Sequence, residues 1–154
     1  MSESKIDLLI IGIGNAGRQD DGLGWAFLDA IADQIPTDIA LEYRYQLNIE
    51  DAELISSASQ VLFVDAKTGA DHAFEYDPCL PKEHYEFTSH ALEPEVILAL
   101  CNSLFQSNPI AHILTISGQN WELEEGLSDF AQSNLEKATE FFKKTILELV
   151  DYNG

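Results

Sequence analysis

Aliphatic residues dominate the start of the chain, where IDLLIIGI at 6–13 is an almost continuous apolar run followed by a glycine-rich stretch. A run of this kind is typical of a strand that is buried on both faces of a parallel sheet. Residues 22–35 then carry large apolar side chains at helical spacing, and Pro36 lies just past the end of that pattern. The beginning of the chain therefore predicts a strand, a loop and a helix.

The rest of the chain continues this alternation. Strands are predicted at 39–46, at 60–66 with Asp65 closing the run, as short pieces at 73–76 and 84–87, and at 110–117 before Gly118. Helices are predicted at 48–59 with Asn48 as the cap, from Pro94 through the apolar stretch that follows it, and from near Ser128, with Leu135, Ala138, Phe142, Ile146 and Leu149 along one face.

Elements in this order predict a three-layer α/β domain, in which helices flank a mostly parallel central sheet of about five strands. Residues 1–154 fit one domain of this kind. Strand ends and helix starts gather at one edge of such a sheet, and ligands bind at that edge. The polar or small residues that this topology brings to the edge are Asp20, Asp21, Gln46, Asp65 and Gly118.

Charge and composition narrow the range of partners. The 27 acidic and 8 basic side chains give a formal net charge of −19, which repels nucleic acid and anionic membranes. No apolar stretch reaches the ~20 residues of a membrane span, and the N-terminus does not have the pattern of a secretion signal. We therefore expect a soluble, cytoplasmic monomer without nucleic-acid or membrane partners. Cys79 and Cys101 are expected to be free thiols, because their spacing fits neither a zinc site nor a redox pair.

Gly12, Gly14 and Gly17 spell G-x-G-x-x-G directly after the first strand, which raises the possibility of a dinucleotide-binding oxidoreductase. That fingerprint needs its third glycine in the first turn of a helix, whose amides then face a pyrophosphate. Here the helical pattern starts about five residues too late, and the carboxylates of Asp20 and Asp21 would compete with the phosphate. The dinucleotide site is therefore the weaker alternative.

The same loop presents Asn15 and two adjacent aspartates to the edge of the sheet. Either Asp20 or Asp21 is expected to cap the following helix, which leaves the other carboxylate to face the cleft. We assign the cleft to Asp21, because it adjoins the flexible Gly22. Asp65 ends an apolar run, where an uncompensated charge is costly, so it must reach water, a donor or a cation. Capping of a nearby helix is an equally good account of Asp65.

His90 precedes the helix that begins at Pro94, in a loop that could fold over the same edge. An exposed loop histidine is the simpler alternative. Two carboxylates and one imidazole that meet at one point form a ligand set for a transition metal. No local spacing enforces that meeting, so a metal site made of Asp21, Asp65 and His90 depends on the fold.

The stretch GIGNAGRQDDGLG at 12–24, followed by VLFVDA around Asp65 and SHALEP around His90, resembles the nickel-iron hydrogenase maturation endopeptidases. The likeness continues through the last predicted strand to Gly118 and to the EGLS motif at 125–128. Proteins of that family are single-domain α/β proteins that remove a short C-terminal extension from the hydrogenase large subunit after nickel has been inserted.

The resemblance implies an endopeptidase in which Asp21, Asp65 and His90 are the catalytic and metal-contacting residues. The implied metal is the substrate's own nickel, so the protein would have no cofactor of its own, and its partner would be the large-subunit precursor. Nickel would either position the tail or act as a Lewis acid, with Asp21 or Asp65 as general base. A chaperone-like module that senses nickel without cutting the precursor is the alternative.

One turn departs from the pattern of the family. Many members have a Gly-Gly-Thr turn after the second strand, whereas this chain has YQLN at 45–48. A Gln-Leu version resembles the branch that processes large subunits of soluble bidirectional hydrogenases. We expect this turn to touch the substrate tail, so Gln46 and Asn48 are candidate substrate-binding residues together with Asn15. Helix capping is the alternative for Asn48.

Overall fold

The computed structural model describes residues 6–69, 71–84 and 92–147. Its strands are β1 (Ile6–Ile13), β2 (Ile39–Arg44), β3 (Ala58–Thr68), β4 (Phe74–Pro78) and β5 (Ile110–Gly118). Its α-helices are α1 (Leu23–Ile31), α2 (Asp51–Ser56), α3 (Pro94–Phe105) and α4 (Asp129–Phe141), the last of which continues as a π-helix at Phe142–Leu147. Short 3-10 turns at Gln19–Gly22 and Ala32–Gln34 flank α1.

The five strands form one sheet in the order β2-β1-β3-β5-β4. Four of them run parallel, and β4 pairs antiparallel to β5 at one edge. The predicted fold class, α/β with a mostly parallel five-stranded sheet between helices, is confirmed. From β1 the chain goes first to a neighbour on one side, β2, and then to a neighbour on the other side, β3. The carboxyl ends of β1 and β3 therefore border a topological switch point, where ligands bind in open α/β sheets.

The aliphatic run of β1 is buried because helices cover both faces of the sheet. On one face Leu8 and Ile10 pack with the apolar sides of α1 and α4. On the other face Leu9 and Ile11 pack with α2 and α3. All four side chains are at most 3% exposed, and full burial of such a side chain is worth roughly 1.5–3 kcal/mol. The sheet is therefore a rigid base for the residues at its edge.

The helix predicted at 22–35 is shorter in the structure. α1 spans Leu23–Ile31, and a 3-10 turn follows at Ala32–Gln34. The helical pattern cannot continue to its predicted end because Ile35, which precedes a proline, has an extended backbone with φ −106° and ψ 151°.

The helix predicted at 48–59 is wrong at both ends, and Asn48 is not its cap. α2 spans only Asp51–Ser56, and no side chain caps it. Asn48 is a donor here rather than an acceptor, because its backbone N–H donates a hydrogen bond to Oδ2 of Asp51 at 2.9 Å. At the other end, pairing with β1 begins at Ala58 and draws the chain into β3 earlier than its local pattern indicates.

Asp65 does not end its strand, contrary to the prediction of a strand at 60–66. Pairing with β5 continues to the last residue of β3, Thr68, whereas pairing with β1 stops at Val64. Asp65 is therefore the first residue of β3 beyond its pairing with β1. The strand edge that faces β1 is open from this point.

The strands near the two edges of the sheet also differ slightly from prediction. β2 ends at Arg44 rather than at 46, and the short strand predicted at 73–76 is present as β4, which continues to Pro78. Most of the strand predicted at 84–87 lies outside the described residues, as does Leu149. Within the described ranges, no helix combines the length and apolar character needed to cross a membrane.

Candidate functional site

The gap between the ends of β1 and β3 holds two of the predicted site residues. Asp65 lies on β3 where the pairing with β1 has stopped. Asp21 reaches the same gap from the loop that follows β1, and its negative charge acts on Asp65. The structure thus brings together two carboxylates that are far apart in sequence, at the edge where the topology predicts a ligand site.

The loop between β1 and α1 is shaped around Asp21. The backbone N–H of Asn15 donates both to the Asp21 carbonyl oxygen at 3.1 Å and to Asp21 Oδ2 at 3.0 Å. Gly14 has a φ of 144°, and a Cβ at this position would collide with the Asp21 carbonyl oxygen, so only glycine fits. The Asn15 side chain shapes the loop as well, because its Oδ1 accepts the N–H of Gly17 at 2.8 Å.

Two other glycines of this region let α1 begin directly on the sheet. A Cβ on Gly24 would lie 2.6 Å from a β1 carbonyl oxygen and 2.7 Å from a β3 carbonyl oxygen, and a Cβ on Gly12 would lie 2.6 Å from the Gly24 carbonyl oxygen. α1 begins only at Leu23, so Gly17 lies outside the helix. This geometry differs from the dinucleotide fingerprint, whose third glycine sits in the first helical turn.

Asp21 is half-buried beside an exposed arginine. Burial raises the pKa of Asp21, while the hydrogen bond from Asn15 and the positive charge of Arg18 lower it by less. The net effect is a raised pKa, which makes the ionised carboxylate costlier than in water and therefore more receptive to a cation.

Asp65 is more strongly perturbed. Burial, assisted by the charge of Asp21, raises the pKa of Asp65 to about 6 against the opposing hydrogen bond from Ala66. That bond joins the Ala66 N–H to Asp65 Oδ1 at 2.8 Å. No lysine or arginine of the described residues forms an ion pair with Asp65. A carboxylate held next to a second carboxylate without a paired cation is typical of functional sites.

The predicted cap of α1 is wrong, because neither aspartate caps that helix. Gly22 precedes α1 and no side chain bonds to its first amides. Asp20 instead points inward, is fully buried, and accepts hydrogen bonds from the segment between β5 and α4. Burial raises the pKa of Asp20, but these donors outweigh it and the net pKa is lowered. The sequence contains one sign that the two acids have different roles, because a helix needs only one cap. It does not identify the donors that Asp20 contacts.

The turn after β2 forms another border of the gap. The Arg44 carbonyl oxygen accepts the N–H of Gly14 at 2.9 Å and the indole N–H of Trp25 at 3.0 Å, which holds the turn beside the Asp21 loop. Gln46 and Asn48, both predicted to bind substrate, are exposed in this turn. Their side chains are therefore accessible to a polypeptide that approaches the edge of the sheet.

His90, the third predicted ligand, lies outside the described residues. Within residues 6–69, 71–84 and 92–147, no three His, Cys, Asp or Glu side chains are close enough to hold a metal ion. Cys79 and Cys101 are buried free thiols. Two carboxylates on their own can contact a cation that a ligand brings with it, or accept a proton from water as a general base.

Comparisons with solved structures find proteins of the same fold. The hydrogenase maturation protease HycI from Thermococcus kodakarensis KOD1 is 21% identical, with a TM-score of 0.70 over 96% of this chain and 94% of that chain. The hydrogenase maturating endopeptidase HybD from E. coli is 16% identical, with a TM-score of 0.73 over 96% and 94%. No protein-family model and no curated protein matches the sequence. At these identities the likeness establishes the fold, and the chain adopts the α/β fold of the hydrogenase maturation proteases.

Proposed function

We propose that this chain is an endopeptidase that removes the C-terminal extension of a nickel-iron hydrogenase large-subunit precursor after nickel insertion. One observation carries the proposal: Asp21 and Asp65 meet at the switch point of the sheet, and Asp65 is buried enough for its pKa to rise to about 6. The fold shared with HycI and HybD, and the resemblance of the sequence motifs to the maturation endopeptidases, support the same activity.

Nickel belongs to the substrate in this proposal. Two neighbouring carboxylates repel each other, and a divalent cation between them removes both that repulsion and the cost of burying the charges. Asp21 and Asp65 would supply two oxygen ligands, and His90 would supply an imidazole nitrogen. The precursor brings the ion and the remaining ligands, so a precursor without nickel would lack the group that the site recognises.

Hydrolysis also needs a group that takes a proton from water as the water attacks the scissile carbonyl. Asp65 is our candidate for this general base, acting through the carboxylate oxygen that does not contact nickel. Burial raises the pKa of this carboxylate before nickel binds. Substrate nickel would polarise the scissile carbonyl or the attacking water.

The turn at 45–48 is our candidate for substrate selection. Gln46 and Asn48 are exposed next to the Asp21 loop, and Asn15 lies within that loop. We assign these three side chains to contacts with the precursor's tail. The Gln-Leu version of the turn favours the large subunit of a soluble bidirectional hydrogenase as the substrate, processed by a cytoplasmic monomer.

Incubation of the purified chain with this precursor, with and without nickel, tests the proposal. Intact-mass spectrometry should detect loss of a C-terminal peptide only from the nickel-loaded precursor. Asp65→Asn and His90→Ala should each reduce the rate by at least about 100-fold, because each removes a group that acts on the reacting atoms.

Asp77→Asn is the matched control for this assay. It makes the same chemical change on an exposed residue of β4, outside the gap between β1 and β3, and should leave the rate unchanged. Cleavage of nickel-free precursor at the same rate would contradict the role of nickel. A stable complex with nickel-loaded precursor but no change in mass would replace the peptidase with a binding module.

A further inference from the structure

Asp20 has no part in the proposed chemistry, yet it is 0% exposed and makes four side-chain hydrogen bonds directly beside Asp21. All four donors belong to residues 119–128, which we call the β5–α4 loop. Oδ2 accepts the N–H of Gln119 at 2.8 Å, the N–H of Asn120 at 3.0 Å and the hydroxyl of Ser128 at 2.8 Å. Oδ1 accepts the N–H of Ser128 at 2.8 Å.

Backbone contacts extend this connection along the loop. The N–H of Gln19 donates to the Glu124 carbonyl oxygen at 2.8 Å, and the N–H of Asp20 donates to the Asn120 carbonyl oxygen at 3.0 Å. Gly118 permits the close approach, since a Cβ there would lie 2.6 Å from the Asp20 Cβ. The β5–α4 loop and the 3-10 turn at Gln19–Gly22 therefore form one hydrogen-bonded unit.

Asp21 is attached to the same unit. Its N–H donates to the Arg18 carbonyl oxygen at 3.1 Å, and the Arg18 guanidinium donates to the Trp121 carbonyl oxygen at 3.2 Å. Its own carboxylate accepts the N–H of Asn15. The backbone from which Asp21 projects is thus fixed largely by its neighbours rather than by its own side chain.

We propose that Asp20 is a positioning residue, which ties the β5–α4 loop to the turn carrying Asp21 and so sets where the Asp21 carboxylate stands relative to Asp65. Its effect on cleavage rests on the proposed function, whereas the tie itself does not. Ser128 completes the arrangement, because its hydroxyl donates to Asp20 and also accepts the N–H of Ala131 at the start of α4. Asparagine at position 20 would keep the shape of the side chain but would place its NH2 group, a hydrogen-bond donor, against a donor of the β5–α4 loop.

Amide hydrogen exchange on the full chain tests the tie directly. In Asp20→Asn, we expect protection to fall by about 10-fold or more both in the β5–α4 loop and at Asn15, while the amides of β1 and β3 keep their protection. Asn15 is the informative reporter, since it bonds to Asp21 and not to Asp20. Unchanged protection at Asn15, or an equal loss across the whole sheet, would overturn the inference.

Cleavage of nickel-loaded large-subunit precursor tests the catalytic consequence. Asp20→Asn should lower kcat by about 10- to 100-fold and change KM by less than about 3-fold, because small displacements of a catalytic group cost this much. Ser128→Ala should also lower kcat, whereas Ser128→Thr, which keeps the hydroxyl, should have a kcat close to that of the wild type. Cys101→Ala perturbs a residue buried on the opposite face and should leave kcat unchanged.

The two measurements separate this inference from the proposed function. An unchanged kcat in Asp20→Asn, with an active wild type, overturns the positioning role and leaves the peptidase in place. If the wild type does not cleave the precursor, the proposed function fails and the exchange at Asn15 alone decides for or against the tie. If Asp20→Asn does not fold, Ser128→Ala carries both measurements.

Discussion

Two adjacent aspartates, Asp20 and Asp21, show how hydrogen-bond donors decide the ionisation of neighbouring residues. Both are removed from water, which raises the pKa of each. Asp20 receives four hydrogen bonds, and its net pKa is lowered. Asp21 receives one side-chain hydrogen bond, and its net pKa stays raised. The charge of Asp20 is therefore compensated by its donors inside the protein, whereas the charge of Asp21 is compensated only in part.

The raised pKa of Asp65 predicts the pH dependence of cleavage. Its carboxylate must be ionised to contact nickel or accept a proton, so kcat/KM should fall as the pH drops through about 6. The slope below that pH should approach about 10-fold per pH unit. Initial rates between pH 5 and pH 8 measure this limb. In Asp21→Asn, the residual kcat/KM should fall at a lower pH than in the wild type, because the substitution removes the charge that helps to raise the pKa of Asp65. A flat profile through pH 6 would contradict the assignment.

Gly14 provides a second prediction at this scale. Gly14→Ala combines an unfavourable φ of 144° with a collision against the Asp21 carbonyl oxygen. We expect it to lower the free energy of unfolding by at least about 2 kcal/mol. Gly126→Ala is the matched control, since its φ of 106° is also unfavourable but a Cβ there meets nothing within 4 Å. It should cost about 1 kcal/mol. Urea unfolding compares the two, and equal losses would refute the collision.

The sequence singles out Asp65 because a carboxylate that ends a buried apolar run needs a compensating partner, and Asp21 because two adjacent acids exceed the one cap that a helix needs. Their role in a functional site stays a prediction. The role of Asp20 could not be predicted in the same way. Its partners in the β5–α4 loop are about a hundred residues away, at separations of 99 to 108, and no local pattern specifies such contacts. The local pattern instead predicts that Asp20 or Asp21 caps α1, and neither residue does so.

At the scale of elements, local pattern determined β1 well and α2 poorly. The apolar run at 6–13 coincides with β1 because burial on both faces favours the same residues throughout. α2 is short because the pairing of β3 with β1, a long-range interaction, begins at Ala58 and ends the helix early. β3 is likewise lengthened by its pairing with β5. Pairing between distant strands, which a single sequence does not reveal, moved these boundaries.

The contact of α1 with the sheet makes a prediction about Gly24. Alanine is the better helix former by about 1 kcal/mol, yet its Cβ would lie 2.6 to 2.7 Å from backbone carbonyl oxygens of β1 and β3. We expect Gly24→Ala to destabilise the protein by about 2 kcal/mol or more, because backbone cannot move aside as a side chain can. Ser133→Ala, on the exposed side of α4, should be neutral or slightly stabilising. Thermal unfolding of both variants decides, and a stabilised Gly24→Ala would contradict the packing.

At the scale of the whole molecule, the order of the strands creates the site. Asp21 and Asp65 become neighbours because β1 and β3 are adjacent and parallel in the sheet. Alternation of strands and helices predicted the layers and the edge, but not which strands are adjacent. The sequence therefore predicts that the two carboxylates are close only if β1 and β3 are adjacent, and the strand order meets this condition.

The net charge of −19 acts on the molecule as a whole. Repulsion among the acidic side chains opposes compaction, and salt screens this repulsion over a Debye length of about 10 Å at 0.1 M. We expect Tm to rise by several degrees when NaCl is raised from about 10 mM to 0.5 M. In a domain of this size, each kcal/mol added to the free energy of unfolding raises Tm by about 2–4 °C. Differential scanning calorimetry at pH 7.5, repeated with KCl, measures the shift. A Tm that falls with both salts would show that favourable ion pairs outweigh the repulsion.

In the proposed mechanism, Asp21 and Asp65 act together on one nickel ion of the precursor. A double-mutant cycle tests it most directly, with peptide release from nickel-loaded precursor measured for wild type, Asp21→Asn, Asp65→Asn and the double variant. Groups that act as a unit are strongly non-additive, so the double variant should lose little more, within about 3-fold, than the more damaging single variant. Losses that multiply, or a single variant that cleaves at the wild-type rate, would contradict the claim.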